Sequence, residues 1–189
     1  MDLREKRTQR NIRNAFIQLR GKKELSKITV KELAETAEIS KATFYLHYRD
    51  IYDLSEKMQK EVIRGVFEGI SQPELFFHNK AQFLEEFVHA FYANKPLIDI
   101  LFGDQQRGIL PVSIEHELKE YLIGQHPELK EDADFNTKFT FLVMGSFYAF
   151  WENSATFSSE EVLRVVKSLL EKTYPAGMDE GGENDGYIV

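Results

Sequence analysis

The sequence predicts an all-α protein, with a small N-terminal helical domain followed by a larger helical domain. Apolar residues recur at spacings of three and four along most of the 189 residues, which is the period of amphipathic helices. Thr29 with Glu32, and Ser158 with Glu161, have the spacing of helix capping boxes. Glycine and proline residues such as Gly21 and Pro73 separate the periodic segments.

The first predicted helix covers residues 4–20 and ends at Gly21. One side of it is apolar and consists of Ile12, Ala15, Phe16 and Leu19. The rest of its surface is basic and carries Arg4, Lys6, Arg7, Arg10 and Arg13. A basic helix surface is compatible with simple solvation or with contacts to phosphate groups.

A second helix is expected to begin at Val30, because the Thr29 hydroxyl can accept from the N–H of Glu32 while the Glu32 carboxylate reaches back. The periodicity breaks after Ala37, and Ile39 can fill the corner that follows.

Ser40 then supplies the N-cap of a third helix that begins at Lys41. The spacing turns Phe44, His47 and Tyr48 inward. It leaves the outer face to Lys41, Ala42, Tyr45 and Arg49.

Two short helices joined by a tight turn, the second with an exposed basic face, form the pattern of a DNA-binding helix-turn-helix. The residues that carry it are Ala34, Ala37, Ile39, Ser40, Lys41, Thr43, Phe44, Tyr45, His47, Tyr48 and Leu54. This run closely resembles the signature of the TetR family of bacterial transcriptional repressors, and the resemblance covers roughly residues 8–55.

Two positions depart from the family pattern. The turn residue is usually glycine, which accepts a left-handed backbone, whereas this chain has Glu38 at a cost of about 1 kcal/mol. The family's lysine at the start of the following helix is replaced by Ile51, and Arg49 is a candidate substitute for its phosphate contact.

The charge distribution also points to DNA, although the formal net charge is -7. Residues 1–57 contain 13 lysines and arginines against 9 acidic residues, whereas the remainder contains 11 against 22. A basic head on an acidic body would orient the head toward DNA. The predicted DNA-binding residues are Lys6, Arg7, Arg10, Thr29, Val30, Ser40, Lys41, Ala42, Thr43, Tyr45, His47 and Arg49.

The predicted domains are a helix-turn-helix domain at 1–50, a helical effector-binding and dimerisation domain at 51–175, and a disordered acidic tail at 176–189. Helices are expected over 51–70, 80–94, 96–102, 112–124 and 133–154, with a last helix after Ser158. Residues 73–79 are expected to form a loop.

Aromatic residues in the larger domain suit either a cavity for an apolar effector, as the resemblance implies, or an ordinary packed core. The candidate effector-pocket residues are Phe83, Phe87, His89, Phe91, Phe139, Phe147, Tyr148 and Trp151. His89 lies among apolar residues and is expected in the core or in that pocket.

The segment from Ala133 to Ser154 is apolar nearly all round, so that a single layer of helices would leave one of its faces uncovered. The resemblance implies that the last two helices form a four-helix bundle with those of a second subunit. The predicted dimer-interface residues are Gly145, Ala149, Val162, Val166 and Leu169.

Other classes of protein find less support. The chain has no cysteine, none of its five histidines has metal-ligand spacing with another, and no cofactor motif is present, so no metal or cofactor is expected. A charged N-terminus and short apolar runs predict a cytoplasmic protein. Two alternatives stay open: a regulator controlled by a partner protein, and a helical enzyme with a basic N-terminus.

Overall fold

Nine α-helices and no strand form in the residues that the computed structural model describes, which are 3–72, 74–103, 106 and 108–173. The helices are α1 (Leu3–Arg20), α2 (Val30–Thr36), α3 (Lys41–Tyr45), α4 (Ile51–Glu68), α5 (Leu75–His78), α6 (Lys80–Leu101), α7 (Ile109–Gln125), α8 (Ala133–Asn153) and α9 (Ser159–Thr173). Short 3₁₀ turns occur at Leu25–Lys27 and Pro127–Glu131. The fold is all-α, as the sequence predicts; the predicted acidic tail lies outside the described residues.

Packing divides the chain into two units. Among the described residues, the first unit contains those up to Gly65 and those within Ala93–Ser113, and the second contains those within Val66–Tyr92 and those from Ile114 to Thr173. These divisions fall within α4, α6 and α7. The predicted boundary between residues 50 and 51 is not one of them, and it stays a prediction.

The helices α1 to α4 all contribute side chains to the core of the first unit. Ile12, Phe16, Leu33, Phe44 and Leu54 are completely buried. Each occupies the apolar position that its helical spacing predicts, so the spacing is what orients α3 with Lys41 and Tyr45 outward.

The predicted helix starts are confirmed by their caps. The Thr29 hydroxyl accepts from the N–H of Glu32 at 3.2 Å and the Ser40 hydroxyl accepts from that of Thr43 at 3.0 Å. The Glu32 carboxylate, however, accepts from Lys23 Nζ at 2.7 Å rather than from the N–H of Thr29. The charged ammonium offers it a stronger bond than a neutral N–H does.

The turn between α2 and α3 has the left-handed backbone that the family resemblance implies for this position. Glu38 has φ of 56°, which is the only positive φ of a non-glycine residue in the described part of the chain. The N–H of Ile39 donates to the carbonyl of Ala34 at 2.9 Å, and this bond closes the turn. Glu38 therefore holds a conformation that favours glycine.

We expect Glu38→Gly to raise the free energy of unfolding by about 1 kcal/mol, because it relieves this backbone strain. Glu35→Gly is the matched control, since Glu35 is an exposed residue inside α2. There the same substitution should lower stability by roughly 0.5 to 1 kcal/mol. Urea denaturation measures both, and a loss of stability in both variants would contradict the strain at Glu38.

The predicted loop at 73–79 is wrong in part, because residues Leu75–His78 form α5. Phe76 is buried, and its ring lies 5.4 Å from those of Phe83 and Phe139. Phe83 lies in the next helix and Phe139 in the distant α8, and the turn signals within residues 73–79 gave no indication of either contact.

The predicted break between residues 94 and 96 is also wrong, because α6 continues through Pro96 to Leu101. Proline removes one hydrogen bond of the helix. Ile98 and Leu101 beyond it are buried, and their burial offsets that loss.

The last two helices pack against each other and leave one side of each exposed. Both arms of the predicted capping box at Ser158 and Glu161 are present. A buried cluster forms around α9, with the members Val162, Val166 and Leu170 packed against Leu84, Leu142, Ala149 and Phe150. Large apolar side chains stay exposed on the same helices: Phe141, Tyr148, Trp151, Val165 and Leu169. None of the described helices is both long and apolar enough to cross a lipid bilayer.

Candidate nucleic-acid interface

The outward surface of α3 is short and exposed. Tyr45 has 57% of its surface exposed, and Lys41 and Ala42 are exposed beside it. The buried ring of Phe44 lies beneath Tyr45, with the ring centroids 5.5 Å apart in an edge-on arrangement. The Lys41 ammonium and the Tyr45 phenol are thus both exposed on a helix whose opposite side is buried. Together these two groups can contact both phosphates and base edges.

Residues at the N-termini of α2 and α3 add hydrogen-bonding groups. Ser40 is exposed and Thr43 is half-buried, and their hydroxyls lie 2.8 Å apart. Thr29 is exposed and Val30 is half-buried at the start of α2. Of the predicted DNA-binding residues, none in α2 or α3 is buried.

α3 ends at Tyr45, so the prediction that Arg49 lies on its outer face is wrong; Arg49 is in the loop that leads to α4. The Arg49 side chain is 82% exposed, and its guanidinium lies 3.3 Å from the carboxylate of Asp53. His47 is half-buried in the turn. Arg49 is therefore an exposed cation next to α3, but it lies in the loop and not on the helix as predicted.

Asp53 organises this loop. Its carboxylate accepts from the backbone N–H of Arg49 at 3.0 Å and from Lys57 Nζ at 3.0 Å, while its own N–H donates to Asp50 at 2.8 Å. The bond from the Arg49 backbone, followed by that from Lys57, holds the pKa of Asp53 below its ordinary value. The carboxylate is therefore ionised at neutral pH and anchors both cations.

Lys57 is a candidate residue of the nucleic-acid interface that was not predicted from the sequence. Its Nζ also lies 3.5 Å from the carbonyl of His47 and 5.1 Å from the ring centroid of Tyr48. Burial raises the pKa of Tyr48. The spacing of four between Asp53 and Lys57 was the available signal, since such pairs interact on one helix face.

The three cations predicted on α1 are exposed but do not share one side of the helix. Lys6 and Arg10 are four residues apart and both line a groove in the first unit, whereas Arg7 is not among its lining residues. A residue one position along a helix is turned by about 100°. Lys6 and Arg10 therefore lie on the side of α1 that faces the groove, whereas Arg7 lies on a different side.

The candidate effector residues fall into three sets of ring contacts within the second unit. Phe83 and Phe139 are buried, and both rings contact that of Phe76. A second set links Phe87 to Phe67 and Phe91, and a third links Phe147 to Tyr148 and Trp151. His89 is exposed, which contradicts its expected place in a core or pocket.

The candidate dimer residues divide between the core and the surface. Val162 and Val166 are 7% and 4% exposed and lie in the core of the subunit, so their predicted place in the interface is wrong. Ala149 is half-buried against the same core. Gly145 and Leu169 are exposed, as an interface requires of an isolated subunit.

Comparison with known proteins gives one partial likeness. The chain is 30% identical over 73 residues to the uncharacterized HTH-type transcriptional regulator YxbF of Bacillus subtilis (strain 168). The match covers 36% of this chain and 19% of that relative. No family model and no solved structure matches the chain.

Proposed function

We propose that this protein is a DNA-binding transcriptional regulator of the TetR type. It acts as a repressor that binds a near-palindromic operator as a homodimer in the cytoplasm. The observation that carries the proposal is the outward face of α3, where Lys41 and Tyr45 are exposed on a capped helix above the buried Phe44. The partial likeness to an HTH-type transcriptional regulator supports the same class.

The homodimer is supported by the exposed apolar side chains of α8 and α9. Phe141 is 70% exposed and Leu169 is 54% exposed, and both lie on helices whose other sides are already packed. A second copy of the same two helices would cover them and complete a four-helix bundle. Two-fold symmetry would then place two copies of α3 in successive major grooves, at ~34 Å or slightly more.

We propose that a small apolar effector bound among the aromatic side chains releases the operator through α4. This helix carries Ile51–Gly65 of the first unit and continues into the second at Val66. A shift of its start by a few ångströms would misplace one α3, and a coupling of ~1 to 3 kcal/mol would release DNA 5- to 150-fold.

A partner protein is the alternative controller, favoured by the exposed Trp151 at the end of α8 and the exposed Phe157 in the turn after it. The two controllers are distinguished with purified protein. A small effector weakens DNA binding without any other macromolecule, whereas a partner protein has to be added.

Selection of DNA fragments from the source genome tests the DNA-binding function. The purified chain should enrich a few fragments, and nuclease footprinting should show a protected site with two related halves about one helical turn apart, or slightly more. Enrichment without any shared sequence would contradict operator binding. A footprint with a single half-site would contradict the dimeric mode.

A further inference from the structure

A groove of about 600 Å³ lies among α1, α4 and α6, entirely within the first unit. This volume is within the range of sites for small molecules. The α1 residues that line it include Lys6, Arg10, Arg13 and Ile17, whose spacings place them along one side of the helix. Lys6 and Arg10, two of the residues predicted to contact DNA, line this groove, whereas none of the aromatic residues of the second unit does.

The groove contains a net positive charge. Arg13 is ion-paired with Glu61 across it. Lys6 and Arg10 are exposed, and within the described part of the chain neither has a carboxylate partner. One acidic group therefore neutralises one of three cations, and the two others are available to an anion.

Other lining residues give the groove an apolar side. Ile17, Met58, Val62 and Leu97 contribute aliphatic or thioether side chains. Along α1, Lys6 and Ile17 are separated by roughly 16 Å, because a helix rises ~1.5 Å per residue. The groove can thus hold a molecule that is charged at one end and apolar along its length.

Gly65 leaves space in this groove, although packing inside the subunit does not require a glycine at this position. It lies in α4, where glycine is less favourable than alanine, and a Cβ built on it would meet no atom within 4 Å. Gly65 also lines the groove. The missing side chain leaves space that a ligand can occupy.

We infer that this groove binds a small amphipathic carboxylate, with its anionic end at Lys6 and Arg10 and its aliphatic chain against Ile17 and Val62. A phosphate ion alone would leave the apolar side in water, and an uncharged chain would leave the two cations without a partner. A medium-length aliphatic carboxylate satisfies both sides. The inference is independent of the operator, since binding is measured without DNA.

The test is a titration of the full-length ¹⁵N-labelled chain with sodium octanoate, followed by two-dimensional NMR. Saturable shifts are expected at the backbone amide of Gly65 and at the side-chain amides of Gln9 and Asn14, which line the groove. 1-Octanol and inorganic phosphate should each bind at least tenfold more weakly. Equal binding of either compound would overturn the inference, as would octanoate shifts confined to the second unit.

Two variants and one control locate the site. Lys6→Gln combined with Arg10→Gln should weaken octanoate binding at least tenfold, whereas Arg7→Gln, which removes a charge from the same helix outside the groove, should leave it unchanged. Gly65→Leu should abolish binding by filling the space, and its retained NMR spectrum would show that the fold is intact. Unchanged affinity in the charge variant, or an equal loss in Arg7→Gln, would overturn the inference.

Discussion

Tyr45→Ala and Lys41→Ala should each weaken operator binding while leaving the protein folded. Tyr45 is 57% exposed and its removal uncovers no core, because Phe44 fills the interior beneath it. A lost base contact costs about 1 to 3 kcal/mol, which corresponds to roughly 5- to 150-fold in affinity. Lys41→Ala should weaken binding to all sequences and reduce the slope of log K against log salt by about 1.

Tyr52→Ala is the matched control for Tyr45→Ala. Tyr52 is 59% exposed, so the two substitutions remove the same side chain at nearly the same exposure, but Tyr52 lies in α4 rather than α3. Fluorescence anisotropy with a labelled operator measures the affinities, and circular dichroism checks the fold. Wild-type footprints from both α3 variants would show that α3 is not the reading helix.

The helix starts of the N-terminal helix-turn-helix region were predictable from the sequence, because the signals that determine them are local. Thr29, Ser40 and Asp50 begin their helices through bonds to residues only three positions ahead, and such spacings can be read directly from the sequence. The left-handed turn at Glu38 was predictable for a different reason, since the resemblance places Glu38 at a position where the family usually has glycine. The length of α3 was not predicted correctly, and for that reason Arg49 was placed on the helix and not in the loop that follows it.

The body was less predictable, because long-range contacts decide its details. Phe76 is buried by rings from α6 and α8, which no local turn signal reveals. The same holds for Val162 and Val166, whose apolar stripe is compatible with a core or with a subunit interface. In the first unit the same limit applies to the groove beside Arg10, because it depends on how three helices separated in sequence meet, and hydrophobic periodicity carries no information on empty space.

Gly145 is the position where the proposed dimer can be tested without disturbing the subunit. It is exposed inside α8, and a Cβ built on it would meet no atom within 4 Å. Phe141 and Tyr148, four residues before and three after it, are exposed on the same side of the helix. Inside one subunit nothing explains the glycine, whereas close approach of a second helix would.

Gly145→Leu should therefore weaken the dimer and leave the subunit at least as stable as before. Overpacking costs about 1 to 3 kcal/mol per site, and a two-fold interface contains the site twice, so the dimer should lose roughly 2 to 6 kcal/mol. Within the subunit, leucine is a better helix former than glycine by up to ~1 kcal/mol.

Gly124→Leu is the control, because Gly124 is also an exposed helical glycine with open space around it. Sedimentation equilibrium should show dissociation at micromolar concentration for Gly145→Leu alone. Dimers of equal strength in both variants would place the interface away from α8, and the exposed side chains beside Gly145 would then face a different partner.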